Sequence, residues 1–194
     1  QGVHIVVDAH FLPGPTALMI PKTADGRVLF AVPWLGKVIL GTTDTPRHDL
    51  AAEPLAYEAE VDFILREAAR YLSVAPQRSD VKSIWVGLRP LVKPPQDDGE
   101  NTKGLSREHI VWVSRSGLVT VTGGKWTTYR AMAEDVLRKC ADSGLLPAGV
   151  LPSGHTDHLP LVGAQAFNEK LQPLCAPEGV HSYGSEQAFV ETLA

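Results

Sequence analysis

The stretch from Val119 to Leu137, VTVTGGKWTTYRAMAEDVL, places two glycines, a lysine and two threonines where a strand pattern changes into a helix pattern. Gly123 and Gly124 let another group approach the backbone closely, and a helix N-terminus favours negative charge. With the charge of Lys125 added, the arrangement suits an anion or an electron-rich ring. An ordinary strand-to-helix turn with a threonine cap explains the same residues equally well.

This motif is not the phosphate-binding loop of a nucleotide triphosphatase. That loop requires G-x-x-x-x-G-K-[ST], whereas Val119 stands five residues before Gly124 and Trp126 follows Lys125. The pattern therefore excludes a P-loop nucleotide triphosphatase on two counts.

Two arginines accompany apolar strand patterns, Arg89 in GLRP and Arg107 in LSREHI. Each is either a rim residue with a solvated head or a guanidinium that points into a pocket. If the fold gathers Arg89, Arg107 and Lys125, the three cations would hold a phosphomonoester through charge-assisted hydrogen bonds.

The histidines and cysteines give weaker indications. His4, in GVHIVV, is either a base near its natural pKa or a strand histidine that is hydrogen-bonded to a neighbour. His155 and His158, in HTDH, have no evident third ligand, so we expect a loop and no metal site. Cys140 and Cys175 lack CxxC spacing, which argues against structural zinc or a disulfide framework.

The elements that must position these residues are a set of short strands and a few helices. Strand patterns occur at residues 2–7 and in ALMIP, RVLFAVPW and KVILGTT, which we predict to form an antiparallel meander. An amphipathic helix follows within 56–72, and VKSIWVGLRPLV is a further strand pattern. The apolar residues of the helix, which we expect to pack on the sheet, are Val61, Ile64, Leu65, Ala68 and Leu72.

The second half of the chain reads as a hairpin, a helix and a helical tail. HIVWVS and LVTVTGG predict a hairpin whose second strand enters the glycine motif, and a helix begins at Thr127 or Thr128 and ends near Cys140. We therefore predict an α+β fold, a mixed but largely antiparallel sheet with packed helices, together with a small helical C-terminal appendage.

Composition limits the class of protein. The 194 residues are 44% hydrophobic and 21% charged, as in globular domains. A net charge of -4 gives no global field that attracts nucleic acid, and no apolar run is long enough to cross a bilayer. Because QGVHIVV enters a strand pattern at once without an initiator methionine, we expect a piece of a longer chain.

Six ordered blocks resemble the FAD-dependent glycerol-3-phosphate dehydrogenase family, closely from about Gly2 to Arg138 and loosely from Leu145 onwards. These blocks are GVHIVV, IPKTADGRVLFAVPW, GTTDT, GLRPLV, SREHIV and GGKWTTYRAMAEDV. The resemblance implies a D-amino-acid-oxidase-like flavoprotein, in which a sheet caps the substrate over the isoalloxazine ring.

The resemblance also implies how the chain is divided. Residues 1–108 would form the substrate-binding cap region, 109–143 a hairpin and helix that complete the FAD domain, and 150–194 a small helical region. No G-x-G-x-x-G fingerprint occurs, so we expect the isolated chain to lack the main FAD anchor and to be inactive.

By the same likeness, Arg89, Arg107 and Lys125 contact the substrate. His4 lies near the reacting carbon and is the candidate that accepts the C2 hydroxyl proton, while Arg89 or Lys125 are alternatives that would stabilise an alkoxide. The residues that would contact the flavin are Gly123, Gly124, Lys125, Trp126, Thr127 and Thr128.

The parent enzyme would oxidise sn-glycerol 3-phosphate to dihydroxyacetone phosphate by hydride transfer to FAD. The resemblance further implies a quinone acceptor and a cytoplasmic enzyme attached peripherally to the inner membrane, although a sister group passes electrons to oxygen. Two alternatives stay open, a flavin enzyme for another small hydroxy or amino acid and a non-catalytic interaction module. The second is disfavoured because the helix at 56–72 carries more acid than base.

Overall fold

The computed structural model of the chain describes residues 1–49, 51–89, 91, 108–147, 154, 156–164, 175–177 and 180–193. The chain forms two compact units, one of Gln1–Leu88 with Leu161–Ala194 and one of Arg89–Pro160. The division into 1–108, 109–143 and 150–194 assigns each segment a role in a flavoprotein, and it stays a prediction.

The first unit contains a five-stranded sheet in the order β2-β3-β4-β1-β5, and every strand pair in the described residues is antiparallel. The α+β class predicted from the sequence is confirmed. The strands are β1 (Gly2–Asp8), β2 (Leu18–Ile20), β3 (Leu29–Trp34), β4 (Lys37–Gly41) and β5 (Ser83–Gly87).

The predicted meander is correct for β2, β3 and β4 and wrong for β1. The two-residue turn of Leu35 and Gly36, with φ of 46° and 73°, joins β3 to β4 as in a tight hairpin. β1 instead lies on the far side of β4, between β4 and β5. Its apolar residues face both sides of the sheet, which suits a central strand, whereas the three-residue β2 suits an edge.

One face of the sheet forms the core with helix α1 (Glu58–Ala68). Val3, Ile5 and Val7 alternate along β1 and are fully buried on this face. The predicted burial of the helix is confirmed at all five positions, of which the last follows the helix in a turn. These positions are Val61, Ile64, Leu65, Ala68 and Leu72.

The opposite face of the sheet, called here the open face, carries the alternate residues of the same strands. His4 and Val6 of β1 lie on it, beside Trp85 of β5. Large side chains on this face stay partly exposed, with Phe30 at 43% and Trp34 at 41%. Among the described residues, α1 therefore packs against the opposite face of the sheet and leaves these side chains partly exposed.

The second unit contains the predicted hairpin of β6 (His109–Val113) and β7 (Val119–Gly123), which is confirmed. A 3-10 turn at Trp126–Thr128 leads into α2 (Tyr129–Asp142), so the helix begins one or two residues later and ends two residues later than predicted.

The predicted helical appendage is described in part. A 3-10 helix at Val180–Glu186 leads into the five-residue α3 (Gln187–Glu191) in the first unit. Two further 3-10 turns lie at Ala9–Phe11 and Arg78–Asp80. In the part of the chain that the structure describes, none of the helices has both the length and the apolarity to cross a bilayer.

Truncating the core between α1 and the sheet should destabilise the protein strongly. Ile64 is fully buried, so we expect Ile64→Ala to lower the free energy of unfolding by about 2–5 kcal/mol in urea denaturation. Leu55→Ala is the control, because Leu55 is 79% exposed and its loss should change stability by less than about 0.5 kcal/mol. Equal effects of the two changes would contradict the assigned core.

Candidate functional site

His4 lies half-buried in the centre of the open face. It pairs with Gly41 on one neighbouring strand and with Trp85 on the other. The imidazole covers the Cα of Gly41 so closely that a Cβ there would lie 2.3 Å from His4 Cδ2. The centroid of one Trp85 ring is 5.6 Å from that of the imidazole, with an angle of 33° between the planes. The ring is thus held between a glycine backbone and an indole.

A shallow groove of about 600 Å³ follows on the same face. Its walls are mainly apolar and aromatic, and Trp85 borders both the groove and the His4 ring. Its one lysine, Lys37, donates to Asp8 Oδ1 at 2.7 Å. The open face therefore places a titratable imidazole beside an apolar surface. The lining residues are Val6, Trp34, Leu35, Lys37, Ile39, Trp85 and Pro177.

The glycine motif forms the junction of β7 and α2. Gly123 and Gly124 both have positive φ, 76° and 80°, which glycine adopts readily. The Thr128 hydroxyl donates to the Lys125 carbonyl at 3.0 Å, and in the described residues this side chain makes no cap hydrogen bond to α2. The threonine-cap explanation of the motif is therefore wrong, because the hydroxyl closes the preceding 3-10 turn instead.

Gly124 has a positive φ and packs closely against two side chains of the second unit. A Cβ at this position would lie 2.5 Å from Met132 Sδ and 3.1 Å from His109 Cβ. His109 in turn contacts Asp135 of α2 through its Nε2 at 2.9 Å. The contact between β6 and α2 thus explains this glycine without a bound ring, and contact of Gly124 with a flavin stays a prediction.

Lys125 and Trp126 are exposed at this junction, as are the two threonines that follow them. The Trp126 side chain is 87% exposed, and its ring stacks with that of Tyr129 at 5.6 Å between centroids. The lysine is exposed beside it. An ammonium, an aromatic face and the first N–H groups of a helix are chemically suited to a planar, electron-rich partner.

The three predicted substrate cations are placed only in part. Arg89 follows β5 by two residues, is half-exposed, and belongs with Lys125 to the second unit, whereas His4 belongs to the first. Arg107 lies outside the described residues. The gathering of Arg89, Arg107 and Lys125 around one anion therefore stays a prediction.

The sequence patterns did not reveal a buried carboxylate at Glu60, which is 5% exposed. Its Oε1 accepts from the hydroxyls of Thr43 at 2.9 Å and Thr45 at 2.6 Å. Its Oε2 accepts from the Tyr57 backbone N–H at 3.0 Å and from the Gln1 side-chain amide. Burial alone would raise the pKa of the Glu60 carboxyl, but the hydrogen bonds that it accepts outweigh burial and lower that pKa.

A weak signal for Glu60 did exist in the sequence. It stands three residues after the N-cap of α1, where a capping box places its acidic residue. The N-cap is Tyr57 rather than serine or threonine, so the motif does not match the usual pattern.

The sheet with its open face lies in the first unit, and the strand–turn–helix junction lies in the second. Comparisons with known proteins identify the class. Residues 1–130 match the model of the FAD dependent oxidoreductases, abbreviated DAO. The chain therefore belongs to the DAO family of FAD-dependent oxidoreductases, and the resemblance found in the sequence is confirmed.

Particular relatives carry a more specific name. The chain is 43% identical over its whole length to a mitochondrial glycerol-3-phosphate dehydrogenase of Bos taurus and 46% identical to one of Arabidopsis thaliana. It spans about a quarter of these relatives, 25% and 27% of their lengths.

A solved structure agrees in fold with the chain. The glycerol-3-phosphate dehydrogenase of Bacillus halodurans, complexed with FAD, is 35% identical with a TM-score of 0.59. The match covers 75% of this chain and 27% of that structure.

The contact between His4 and Gly41 can be tested with one methyl group. Gly41→Ala should displace the imidazole and lower the free energy of unfolding by about 1–3 kcal/mol, as overpacking does. Gly87→Ala is the matched control, because Gly87 lies in β5, on the other side of β1, and among the described residues its Cβ would meet no heavy atom within 4 Å. Urea denaturation measures stability, and crystal structures locate the ring. An undisplaced imidazole in Gly41→Ala would contradict the contact.

Proposed function

We propose that this chain supplies the substrate-covering sheet and the flavin-contacting turn of an enzyme that oxidises sn-glycerol 3-phosphate to dihydroxyacetone phosphate. The observation that carries the proposal is identity of 43–46%, over the whole chain, to proteins named glycerol-3-phosphate dehydrogenase. Fragments of unrelated activity within a broad family would share the fold without sustaining this identity from end to end.

The cofactor of this enzyme would be FAD, and the chain's own residues fit part of it. The fit rests on the donor set at the junction of β7 and α2, namely exposed Lys125, exposed Trp126 and a helix N-terminus. FAD, when bound, supplies the acceptor for the hydride that leaves C2 of the substrate. Lys125 and the helix N-terminus would stabilise negative charge on the ring, with Gly123, Thr127 and Thr128 forming the backbone around it.

The substrate phosphate would be bound by Arg89, Arg107 and Lys125. A phosphomonoester carries about -1.5 to -2 charge near neutral pH, and guanidinium groups match its oxygens in a bidentate geometry. Because the phosphate does not react, these cations orient the substrate and leave the chemistry to the C2 end.

His4 would accept the proton of the C2 hydroxyl. As the hydride leaves carbon, the hydroxyl proton passes to the imidazole, and the carbon–oxygen bond becomes the carbonyl of the product. The observed packing suits this role, because Gly41 and Trp85 hold the ring on the open face.

The electrons would then leave to a quinone, with the enzyme attached peripherally to the inner membrane from the cytoplasmic side. This part of the proposal is supported by the family resemblance. Oxygen is the competing acceptor. Reduction of a soluble quinone analogue would indicate a quinone acceptor, whereas formation of hydrogen peroxide would indicate oxygen.

Loss of Arg89 should discriminate between phosphorylated and unphosphorylated substrates. In the complete flavoenzyme, we expect Arg89→Ala to raise KM for glycerol 3-phosphate by roughly 10-fold to 100-fold, since a hydrogen bond to a charged group contributes about 1.5–3 kcal/mol. Rates with glycerol, which lacks the phosphate, should change little. Initial-rate kinetics with both substrates measure the effect.

Arg115→Ala is the matched control, because Arg115 is an exposed arginine in the turn between β6 and β7. It should leave both substrates unaffected. Equal losses with glycerol 3-phosphate and glycerol in Arg89→Ala would remove Arg89 from phosphate binding.

A further inference from the structure

A hydrogen-bonded relay connects Glu60 of α1 to the backbone beside His4. The Glu60 Oε1 accepts from the Thr43 hydroxyl at 2.9 Å, and the same hydroxyl accepts from the Val3 backbone N–H at 3.0 Å. Thr43 is 1% exposed, so water does not compete for these bonds. One hydroxyl therefore acts as donor and acceptor at once and joins helix α1 to β1.

The relay holds the backbone of β1 next to the residue pair at which the hydrogen-bonded pairing of β1 with β4 ends. The last paired residues are His4 and Gly41. Beyond them the chain after β4 stays beside β1, because Thr45 N–H donates to the Gln1 carbonyl at 3.0 Å. Between these two points, the Thr43 side chain supplies the acceptor for Val3. The residue before His4 is thus held by a side chain that Glu60 orients.

A second arm of the same network holds Gln1. Its side-chain amide donates to Glu60 Oε2, and its Oε1 accepts from Arg47 Nη1 at 2.5 Å. Arg47 also donates to the Leu55 carbonyl at 3.1 Å and lies over the Tyr57 ring, 4.6 Å from its centroid. The carboxylate thus joins the start of β1, the segment after β4 and the start of α1.

We propose that Glu60 is a positioning residue for His4, acting through Thr43 to hold the Val3 backbone and with it the imidazole over Gly41. The inference rests on the proposed function for the role of His4 as proton acceptor. Glu60 itself lies on the helix, points away from the open face into its four donors, and touches neither substrate nor cofactor in this role.

The two oxygens of Glu60 explain why a carboxylate is required. Oε2 faces the Tyr57 N–H and the Gln1 amide, while Oε1 faces two hydroxyls. A glutamine at position 60 has one acceptor oxygen and one NH₂ group. If the NH₂ group replaces Oε1, it faces the Thr43 and Thr45 hydroxyls, and the Thr43 hydroxyl loses its present orientation. If the NH₂ group replaces Oε2, the Tyr57 N–H loses its acceptor.

The test compares two substitutions at Thr43 in the complete flavoenzyme. Thr43→Val keeps the shape and removes the hydroxyl, whereas Thr43→Ser keeps the hydroxyl. Asp62→Asn is the control on α1, because Asp62 is 62% exposed and pairs with Arg78 on the surface. For each protein, flavin content, kcat, KM for glycerol 3-phosphate and the pH profile of kcat/KM are measured, and crystal structures locate the His4 ring.

We expect Thr43→Val to displace the imidazole from Gly41 and to lower kcat on the order of 10-fold to 100-fold, as misplacement of a reacting group does. KM should change less than about 2-fold, because the phosphate contacts lie elsewhere, and flavin content should be unchanged. Thr43→Ser should restore both the ring position and kcat.

Two results would overturn the inference. An imidazole that keeps its position in Thr43→Val shows that the relay does not hold it, whatever the kinetics. A displaced ring with unchanged kcat shows that the position has no catalytic consequence. If the unmodified enzyme does not oxidise glycerol 3-phosphate, the proposed function fails, while the crystal structures still decide whether the relay positions the ring.

Discussion

The alternation of side chains along β1 is the constraint on which the rest of the first unit depends. Val3, Ile5 and Val7 are fully buried against α1, so His4 and Val6 must lie on the opposite face. A shift of one residue would bury the imidazole and expose three apolar side chains. The free energy of burying these side chains therefore fixes the face on which the candidate proton acceptor stands, before any hydrogen bond is considered.

Burial fixes the face but not the position of the ring within it. The ring is placed by absence of a side chain at Gly41, by the indole of Trp85, and by the buried carboxylate of Glu60 acting at the end of the strand. The hydrophobic effect is non-directional, so it selects only the face of the sheet on which the ring lies. Hydrogen bonds are directional, so they can define its position within that face. A sheet that is covered by a helix on one face can thus hold a defined chemical group on the other.

The sequence predicted those features that arise from local periodicity. The buried face of α1 and the β6–β7 hairpin follow from helical spacing and from two adjacent strand patterns. The position of β1 was missed because its partners, β4 and β5, come from distant parts of the chain, and strand order is a non-local property. Glu60 escaped detection for the same reason, since its donors come from residues 1, 43, 45 and 57.

The site residues were predicted mainly by resemblance, and their geometry shows why residue types alone were ambiguous. Gly124 suits close approach of a ring, and it also packs beside Met132 and His109, so its residue type alone does not separate the two explanations. Thr128 was compatible with a helix cap, yet its hydroxyl closes the preceding turn. In both cases one residue type serves several geometries, and only the neighbours decide which one is used.

The first unit combines two separate segments, Gln1–Leu88 and Leu161–Ala194, and the second unit lies between them in sequence. The Gly36 N–H in the β3–β4 turn even donates to the carbonyl of Cys175 at 3.0 Å. On the ribosome the strands of the sheet therefore emerge well before the later segment of the same unit. The whole second unit must be synthesised before Cys175 can contact the β3–β4 turn. During that time the sheet lacks this contact.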